Sequence, residues 1–328
     1  MKKIINFTTS EFDTGRYSDN ADLKAFYGEL GFDGLEVTRY GDNKDGIVRS
    51  DDIISIHMRY FTSWMDLWTG NEQRLLSEFG DYGTIQQAFG GTTREALTNA
   101  FIDNLDAPPD ASPEYLVFHV SECLLADSML RQYHYDSGEV IDATIELVDS
   151  FSDAIQGSPA LLFENLWYSG LDMLEPSLTY RLLEEVKYSN AGIMFDIGHL
   201  LHTNTALRTI DEGVDYIHKT LDLYDDLSFI RGVHLHQSLS GEYAEEQKRA
   251  WTPDTGSYGD RKLAVIPHIY KIDTHQPFAS ERVNELIERI QPEYLVLEQM
   301  SADRFEHVRK LKEQLRFLKN FVDMHDKI

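Results

Sequence analysis

The sequence predicts a single (β/α)8 barrel, an α/β fold in which eight parallel strands each lead into a helix. Eight short apolar runs of strand length recur along the 328 residues, and apolar positions with helical spacing separate them. A chain of this length is typical of one such barrel with insertions. The competing fold, an open doubly wound sheet, would place a glycine-rich phosphate turn after the first strand. The chain reads Asn6-Phe7-Thr8-Thr9-Ser10 there, which disfavours that alternative.

The predicted strands are almost continuously apolar, as expected where helices and a packed interior cover both faces of a parallel sheet. Each run is short and ends in a polar or turn-forming segment. In chain order the strands are Ile4–Phe7, Leu35–Val37, Ile53–His57, Tyr115–His119, Ala160–Glu164, Ile193–Asp196, Ile230–His234 and Tyr294–Glu298.

Helices are predicted where apolar residues recur three and four positions apart, because that spacing places them on one helix face. Four segments show the pattern clearly. Their apolar faces are Leu23, Phe26, Tyr27 and Leu30; Ile141, Ile145, Val148 and Ile155; Leu178, Leu182 and Val186; and Phe305, Val308, Leu311, Leu315, Leu318 and Val322.

Two connections, roughly residues 58–113 and 237–272, are too long for simple loops. They follow the third and seventh strands, at the end of the barrel where insertions commonly build the wall or lid of an active site. Aromatic residues in them, such as Trp64 and Trp251, could either stack on a substrate or anchor the insertion itself. We therefore expect one domain over residues 1–328 with two functional insertions.

Composition narrows the class of partner. The formal net charge is −26, from 56 acidic and 30 basic residues, and so acidic a chain repels polyanions. The charge therefore argues against duplex DNA as a partner, since phosphate neutralisation supplies much of DNA-binding affinity. No 18-residue apolar run or signal-peptide core is present, and Cys123 has no second cysteine to pair with. We expect a cytoplasmic protein that does not enter a membrane.

Metal-ligating residue types stand at the carboxyl ends of the predicted strands, which meet at one face of a barrel. A polar residue at a single strand end can be explained as a local cap. Six strand ends that all carry a metal-ligating residue type are poorly explained in this way. Oxygen and nitrogen ligands without thiolates suit zinc, manganese or iron. Gly198 is expected to let the chain turn so that His199 points back at Asp196. The strand-end residues are His57, His119, Glu164, Asp196, His234 and Glu298, and His199 follows Asp196 by three positions.

Four short motifs resemble the xylose isomerase-like TIM-barrel superfamily, which includes sugar isomerases, sugar epimerases and the endonuclease IV type (AP endonuclease family 2). The motifs are Phe163-Glu164-Asn165, Phe195-Asp196-Ile197-Gly198-His199, Val233-His234-Leu235-His236 and Leu297-Glu298. The resemblance covers roughly residues 53–321. It implies a shared metal site on Glu164, Asp196, His234 and Glu298.

The endonuclease IV type adds five ligands to those four and holds up to three zinc ions. The resemblance maps them onto His57, His119, His199, Asp273 and His275. The long connections before His119 and Asp273 depart from that family, as does the acidic charge. The resemblance therefore supports the family's metal site in this chain better than it supports the family's DNA substrate. Manganese or iron stays an alternative to zinc.

The nine ligands favour a multinuclear, zinc-type hydrolase of a small-molecule phosphoester. Glu164 and Glu298 would be the catalytic carboxylates, bridging metals and orienting the nucleophile. Substrate contacts are expected from Arg59, Trp64, His236, Arg261 and Lys271.

Two alternatives remain. A sugar isomerase or epimerase would use one metal on the four-residue site and work through an enediol, with His199 contacting the substrate. A non-catalytic barrel would keep the fold and bind a ligand or metal. The sequence leaves the substrate, the metal and assembly into a homo-oligomer open.

Overall fold

Each of the eight predicted apolar runs forms a parallel strand of one closed barrel. The computed structural model describes residues 1–40, 46–105, 110–253 and 255–319. Within these ranges the strands are β1 (Lys2–Thr8), β2 (Gly34–Thr38), β3 (Ile53–His57), β4 (Tyr115–His119), β5 (Ser121–Glu122), β6 (Ala160–Glu164), β7 (Ser169–Gly170), β8 (Ala191–Asp196), β9 (Ile230–Leu235) and β10 (Tyr294–Leu297).

Barrel closure follows from the first and last strands. The order around the barrel is β1-β2-β3-β4-β6-β8-β9-β10, and β1 pairs in parallel with both β2 and β10. The two short strands β5 and β7 form a separate antiparallel pair beyond the ends of β4 and β6. The predicted (β/α)8 barrel is thus confirmed, and all eight strand ends face the same way.

Helices follow the strands and also fill the two insertions. None of those in the described ranges combines the length and apolar character that a membrane span requires. They are α1 (Glu11–Thr14), α2 (Asn20–Glu29), α3 (Met65–Thr69), α4 (Glu72–Phe79), α5 (Tyr82–Phe89), α6 (Arg94–Asn104), α7 (Leu125–Leu130), α8 (Ser137–Phe151), α9 (Pro176–Glu185), α10 (Ile197–His202), α11 (Ile210–Leu221), α12 (Gly241–Ala250), α13 (Tyr258–Ile272), α14 (Val283–Ile290) and α15 (Arg304–Arg316).

Element ends differ from the sequence prediction in a few places. The predicted helical face including Ile155 is too long, because α8 ends at Phe151 and the chain tightens into a 3-10 turn at Ser152–Ala154. The last helix ends at Arg316, so Leu318 follows it, and Val322 lies outside the described residues. Glu298 directly follows β10 rather than closing it.

Alternate side chains of the strands fill the inside of the barrel, and the others pack outward against the helices. The interior set is fully or almost fully buried and forms a core of its own. Its members are Ile4, Tyr115, Val117, Ala160, Leu162, Met194, Tyr294 and Val296. This packed interior leaves no channel through the barrel. Side chains that bind a metal or a substrate can therefore gather only at the carboxyl-end face.

The two insertions contact one another. Helices α3 to α6 belong to the first, and α12 and α13 to the second. Arg261 on α13 lies 3.3 Å from Glu78 Oε2 on α4, and the Tyr258 ring lies 4.5 Å from that of Phe79. Glu78 also accepts a hydrogen bond from the backbone of Leu125 in α7. The insertions and α7 therefore form one continuous wall.

Replacing Leu162 with Ala should destabilise the protein by about 2–5 kcal/mol, because its side chain is completely buried inside the barrel. Urea unfolding followed by circular dichroism measures this loss. Leu223→Ala, at a side chain that is 50% exposed, is the matched control and should change stability by less than about 0.5 kcal/mol. Equal losses in the two variants would contradict the packed interior described above.

Candidate metal centre

Nine potential metal ligands meet at the carboxyl-end face of the barrel. The strands place six of them there. Five are the last or next-to-last residue of a strand, and Glu298 directly follows β10. These five are His57, His119, Glu164, Asp196 and His234. His199 lies on α10, and Asp273 and His275 follow α13. The structure therefore brings all nine sequence-predicted ligands together, in three neighbouring groups.

The first group consists of His57, His119 and Glu164. His57 Nε2 lies 3.1 Å from Glu164 Oε2, and His119 Nε2 lies 3.2 Å from the same oxygen. Potential ligand atoms of all three residues lie within 4.8 Å of one another, as a shared cation would require. The two imidazoles and one carboxylate oxygen therefore fit a divalent ion.

The second group uses the other oxygen of Glu164. His234 Nδ1 lies 3.3 Å from Glu164 Oε1, 3.5 Å from Asp196 Oδ2 and 3.3 Å from Glu298 Oε2. Three carboxylates thus surround one imidazole nitrogen. Since one Glu164 oxygen faces each group, this side chain has the position of a bridging ligand.

The third group lies on the far side of Asp196. Potential ligand atoms of His199, His236, Asp273 and His275 lie within 4.8 Å of one another. His199 Nε2 is 3.3 Å from Asp273 Oδ2, and His275 Nδ1 is 3.4 Å from Asp273 Oδ1. Glu298 Oε2 lies 3.7 Å from His275 Nε2, so Glu298 stands between the second and third groups.

Local hydrogen bonds explain why the Asp-x-x-His segment points both side chains at one place. Asp196 Oδ1 accepts the backbone N–H of His199 and so caps α10. Asn165 holds the backbone of Asp196 through two hydrogen bonds of 2.8 and 3.0 Å. The Asn165 carbonyl also lies 2.9 Å from His199 Nδ1. The end of β6 therefore orients the end of β8.

The expected role of Gly198 is wrong. It lies within α10 rather than in a sharp turn. A Cβ atom at this position would come within 2.0 Å of the His236 ring, so glycine is required for the close approach of His236. His236 Nε2 in turn lies 3.0 Å from Asp196 Oδ2, which places it among the ligands.

The other predicted substrate contacts lie away from the nine ligands or at their margin. Trp64 is buried, and its Nε1 donates to the Ser121 carbonyl, so the ring packs within the first insertion. Arg261 is engaged by Glu78. Lys271 is exposed, with its ammonium 5.5 Å from the Tyr243 ring. Arg59 is exposed beside Phe61 near the mouth. Only His236 of the five joins the ligand groups.

Sequence reasoning missed Glu36. Its Oε1 lies 2.9 Å from His234 Nε2, and its Oε2 accepts hydrogen bonds from Tyr115 and Ser55. A buried carboxylate behind a ligating imidazole orients the ring and raises its basicity. The available signal was the charged residue between Leu35 and Val37 in an otherwise apolar strand.

His202 was also missed, although it repeats the three-residue spacing after His199. It is buried, and its Nε2 lies 3.9 Å from Asp273 Oδ1. Burial lowers its pKa to about 4, so its imidazole is neutral at pH 7. His202 is therefore available as a hydrogen-bonding neighbour of the third group.

The electrostatics of the groups fit cation binding. Burial alone would raise the pKa of Glu298, but the histidines around it, His234 and His275, hold that pKa at about 2. Burial lowers the pKa of His119 to about 4, so its imidazole is neutral and can act as a ligand. Glu298 Oε2 and His119 Nδ1 are buried and have no hydrogen-bond partner among the residues that the structure describes. Such atoms are rare in folded proteins, and an ion or water would satisfy them.

No family model and no curated protein matches this sequence. Solved structures are similar to this chain over most of its length, each with a TM-score below 0.5. A D-tagatose 3-epimerase-like protein is 14% identical, with 100% of this chain and 99% of that chain covered and a TM-score of 0.48. A xylose isomerase-like TIM barrel protein from Mycobacterium smegmatis in complex with magnesium is 14% identical, with coverages of 92% and 89% and a TM-score of 0.46.

An L-ribulose 3-epimerase is 12% identical, with coverages of 98% and 95% and a TM-score of 0.46. The Mycobacterium smegmatis protein carries the name of the superfamily that the sequence motifs resemble. Each likeness is distant. At this identity and these TM-scores it says nothing about the reaction, which has to be argued from the side chains.

Replacing His119 with Ala should remove at least one metal ion per chain, because it supplies one of two imidazoles in the first group. Elemental analysis of protein purified without chelator measures this. His218→Ala, on α11 and paired with Glu285, is the matched histidine control and should keep full metal content. Unchanged metal content in His119→Ala would show that His119 only lines the site.

Zinc binding to the metal-free protein should release at least two protons per chain at pH 7. Burial lowers the pKa of His57 and His275, but nearby carboxylates outweigh burial and raise both to about 9. Both imidazoles are then protonated at pH 7 and must lose a proton before ligating a cation. Apparent zinc affinity should therefore rise between pH 7 and pH 9.

Isothermal titration calorimetry in buffers of different ionisation enthalpy counts these protons. The His218→Ala variant should release the same number as the unaltered protein, whereas His57→Ala should release fewer. Zinc binding with no proton release would show that the two histidines are not ligands.

Proposed function

We propose that this chain is a metal-dependent enzyme that hydrolyses a small-molecule phosphoester. The observation that supports this best is that the nine proposed ligands, together with His236, form overlapping groups, with Glu164 between the first two and Glu298 between the last two. A single-metal enzyme has no need of the first and third groups. Adjacent metal positions joined by carboxylates suit in-line displacement at phosphorus, where both the attacking and the leaving oxygen must be held.

Charge balance favours the same conclusion. The carboxylates of Glu164, Asp196 and Asp273 are buried and that of Glu298 is partly buried, and all their ion pairs with described residues are with histidines. Buried charges without partners are costly. One divalent ion would leave two negative charges for protonated histidines to balance. Three ions would leave two positive charges, enough for an anionic nucleophile and a phosphodiester.

The carboxylates have distinct tasks in this proposal. Divalent metals at such sites supply a water of lowered pKa and neutralise phosphate oxygens. Glu298 Oε2 lies 3.3 Å from His234 Nδ1 and 3.7 Å from His275 Nε2, and Glu298 would orient the attacking water. The water oxygen bonds to phosphorus as the bond from phosphorus to the leaving oxygen breaks. The attacking water loses its proton to solvent, and the leaving oxygen takes up a proton from solvent. Glu164 keeps its two oxygens fixed between the first and second groups.

The substrate is a small molecule in this proposal rather than duplex DNA. The net charge of −26 opposes the approach of a polyanion, whose binding depends on neutralisation by Lys and Arg. A small phosphoester carries only one or two charges, which the metals themselves can balance.

An isomerase or epimerase of sugars is the second candidate. Glu164, Asp196, His234 and Glu298 alone could hold one metal, with two carboxylates left to move a proton beside a carbonyl. Some of the fold neighbours are named as epimerases, although so distant a likeness transfers no substrate. A non-catalytic binding barrel would show neither activity.

Protein purified without chelator should contain about three divalent ions per chain by elemental analysis, and it should hydrolyse bis(p-nitrophenyl) phosphate in a metal-dependent manner. Glu298→Gln should reduce the turnover number about 100-fold or more, since it removes the charged carboxylate that orients the attacking water. Glu285→Gln, at a half-exposed surface carboxylate, is the matched control and should retain activity.

One metal per chain, together with interconversion of sugars and no phosphoester cleavage, would replace the hydrolase proposal with the isomerase. Full metal content with neither reaction would support the non-catalytic barrel.

A further inference from the structure

A cavity of about 290 Å³ opens beside the third ligand group. Its polar floor is formed by His119, His199 and Asp273, three of the proposed ligands. The rest of its lining is largely apolar or aromatic. These lining residues are Tyr60, Leu124, Leu125, Trp167, Ile266 and Ile269, and Lys262 stands at its rim.

The wall is built from parts that the barrel alone does not possess. Ile266 and Ile269 come from α13 in the second insertion, and Leu125 comes from α7. These helices pack against each other, and Arg261 and Glu78 tie them to the first insertion. The insertions thus enclose an apolar space directly against metal ligands, where a hydroxyl-rich group would lose its hydrogen bonds to water.

Trp167 is the most informative member of the wall. Its ring lies edge-on to His199, with centroids 5.1 Å apart, and 4.7 Å from the ring of His202. The side chain is only 5% exposed, yet no described residue accepts a hydrogen bond from its Nε1–H. A buried indole N–H normally finds an acceptor, so its vacancy points to an acceptor atom on a ligand.

We propose that this cavity binds a planar aromatic group of the phosphoester substrate, one that carries a hydrogen-bond acceptor facing Trp167. This inference rests on the proposed function and names its substrate class. An apolar cavity of about 150 Å³ accommodates benzene, so this one has room for a fused two-ring system. The rings of Tyr60 and Trp167 in the lining favour a ring over an aliphatic chain. The scissile phosphate would then lie over His119, His199 and Asp273.

Non-hydrolysable phosphonates test this on the metal-loaded full-length protein. Isothermal titration calorimetry should show 1-naphthylphosphonate and 8-quinolylphosphonate binding at least about tenfold more tightly than methylphosphonate, because only their rings fill the cavity. The quinolyl compound, whose ring nitrogen is an acceptor, should bind more tightly than the naphthyl compound. Cyclohexylphosphonate separates flatness from mere apolar character and should bind less tightly than both.

Variants locate the effect. Trp167→Leu should abolish the preference for aromatic phosphonates over methylphosphonate. Trp167→Phe should keep the preference for rings and lose the difference between quinolyl and naphthyl. Trp251→Leu, at a half-buried tryptophan outside the cavity, is the matched control and should bind like the unaltered protein. Metal content by elemental analysis verifies that each variant keeps its site.

Two failures can be told apart. Equal affinities for the methyl and aryl phosphonates would overturn the aromatic pocket and leave the phosphoesterase proposal standing. Binding of no phosphonate to fully metal-loaded protein would overturn the phosphoester proposal and the pocket together. An aryl preference that survives in Trp167→Leu would also overturn the pocket, because the ring would then bind elsewhere.

Discussion

The site depends on one buried carboxylate with neighbours on both sides. Glu164 ends β6 with one oxygen 3.1 and 3.2 Å from His57 and His119 and the other 3.3 Å from His234. The side chain of Glu164 is only 1% exposed, so these imidazoles replace water as the partners of its carboxylate. Moving this side chain would separate the first group of ligands from the second.

The barrel stabilises this arrangement of buried charges because its strands hold the backbone of the charged residues in fixed positions. Parallel pairing aligns His119 with Glu164 and Asp196 with His234 at the same level of neighbouring strands. Asn165 then ties the end of β6 to the end of β8 through the backbone of Asp196. Ligands held by rigid strands need little reorganisation when a cation binds, which is the condition for an ordered multinuclear site.

The proposed metal ligands and the proposed substrate pocket come from different parts of the chain. The strand ends carry most of the proposed ligands, and Asp273 and His275 follow α13. The insertions and α7 build the apolar wall against the third group, and they are tied to one another through Glu78. A change in the insertions can therefore alter which molecule fits without disturbing the barrel. This division of labour is common in barrels of this kind.

The sequence by itself determined the fold class and singled out the nine residues that we propose as metal ligands. Eight apolar runs require eight buried strands, and parallel strands that close into a barrel bring their polar ends to one face. His57, His119 and Glu164 could therefore be assigned to one site before any distance was known. The helix ends were predicted less accurately. Ile155 was assigned to a helix because apolar periodicity alone does not reveal the 3-10 turn at Ser152–Ala154.

Only the tertiary structure decided which of the proposed ligands lie next to one another. It also decided which of the predicted site residues lie outside the site. Trp64 and Arg261 carry suitable chemistry, but Ser121 and Glu78 engage them in the insertions. Glu36 and Trp167 looked like ordinary strand and loop residues, and their roles follow from neighbours distant in the chain. Such contacts depend on how helices pack over the strand ends, and local sequence patterns do not encode that packing.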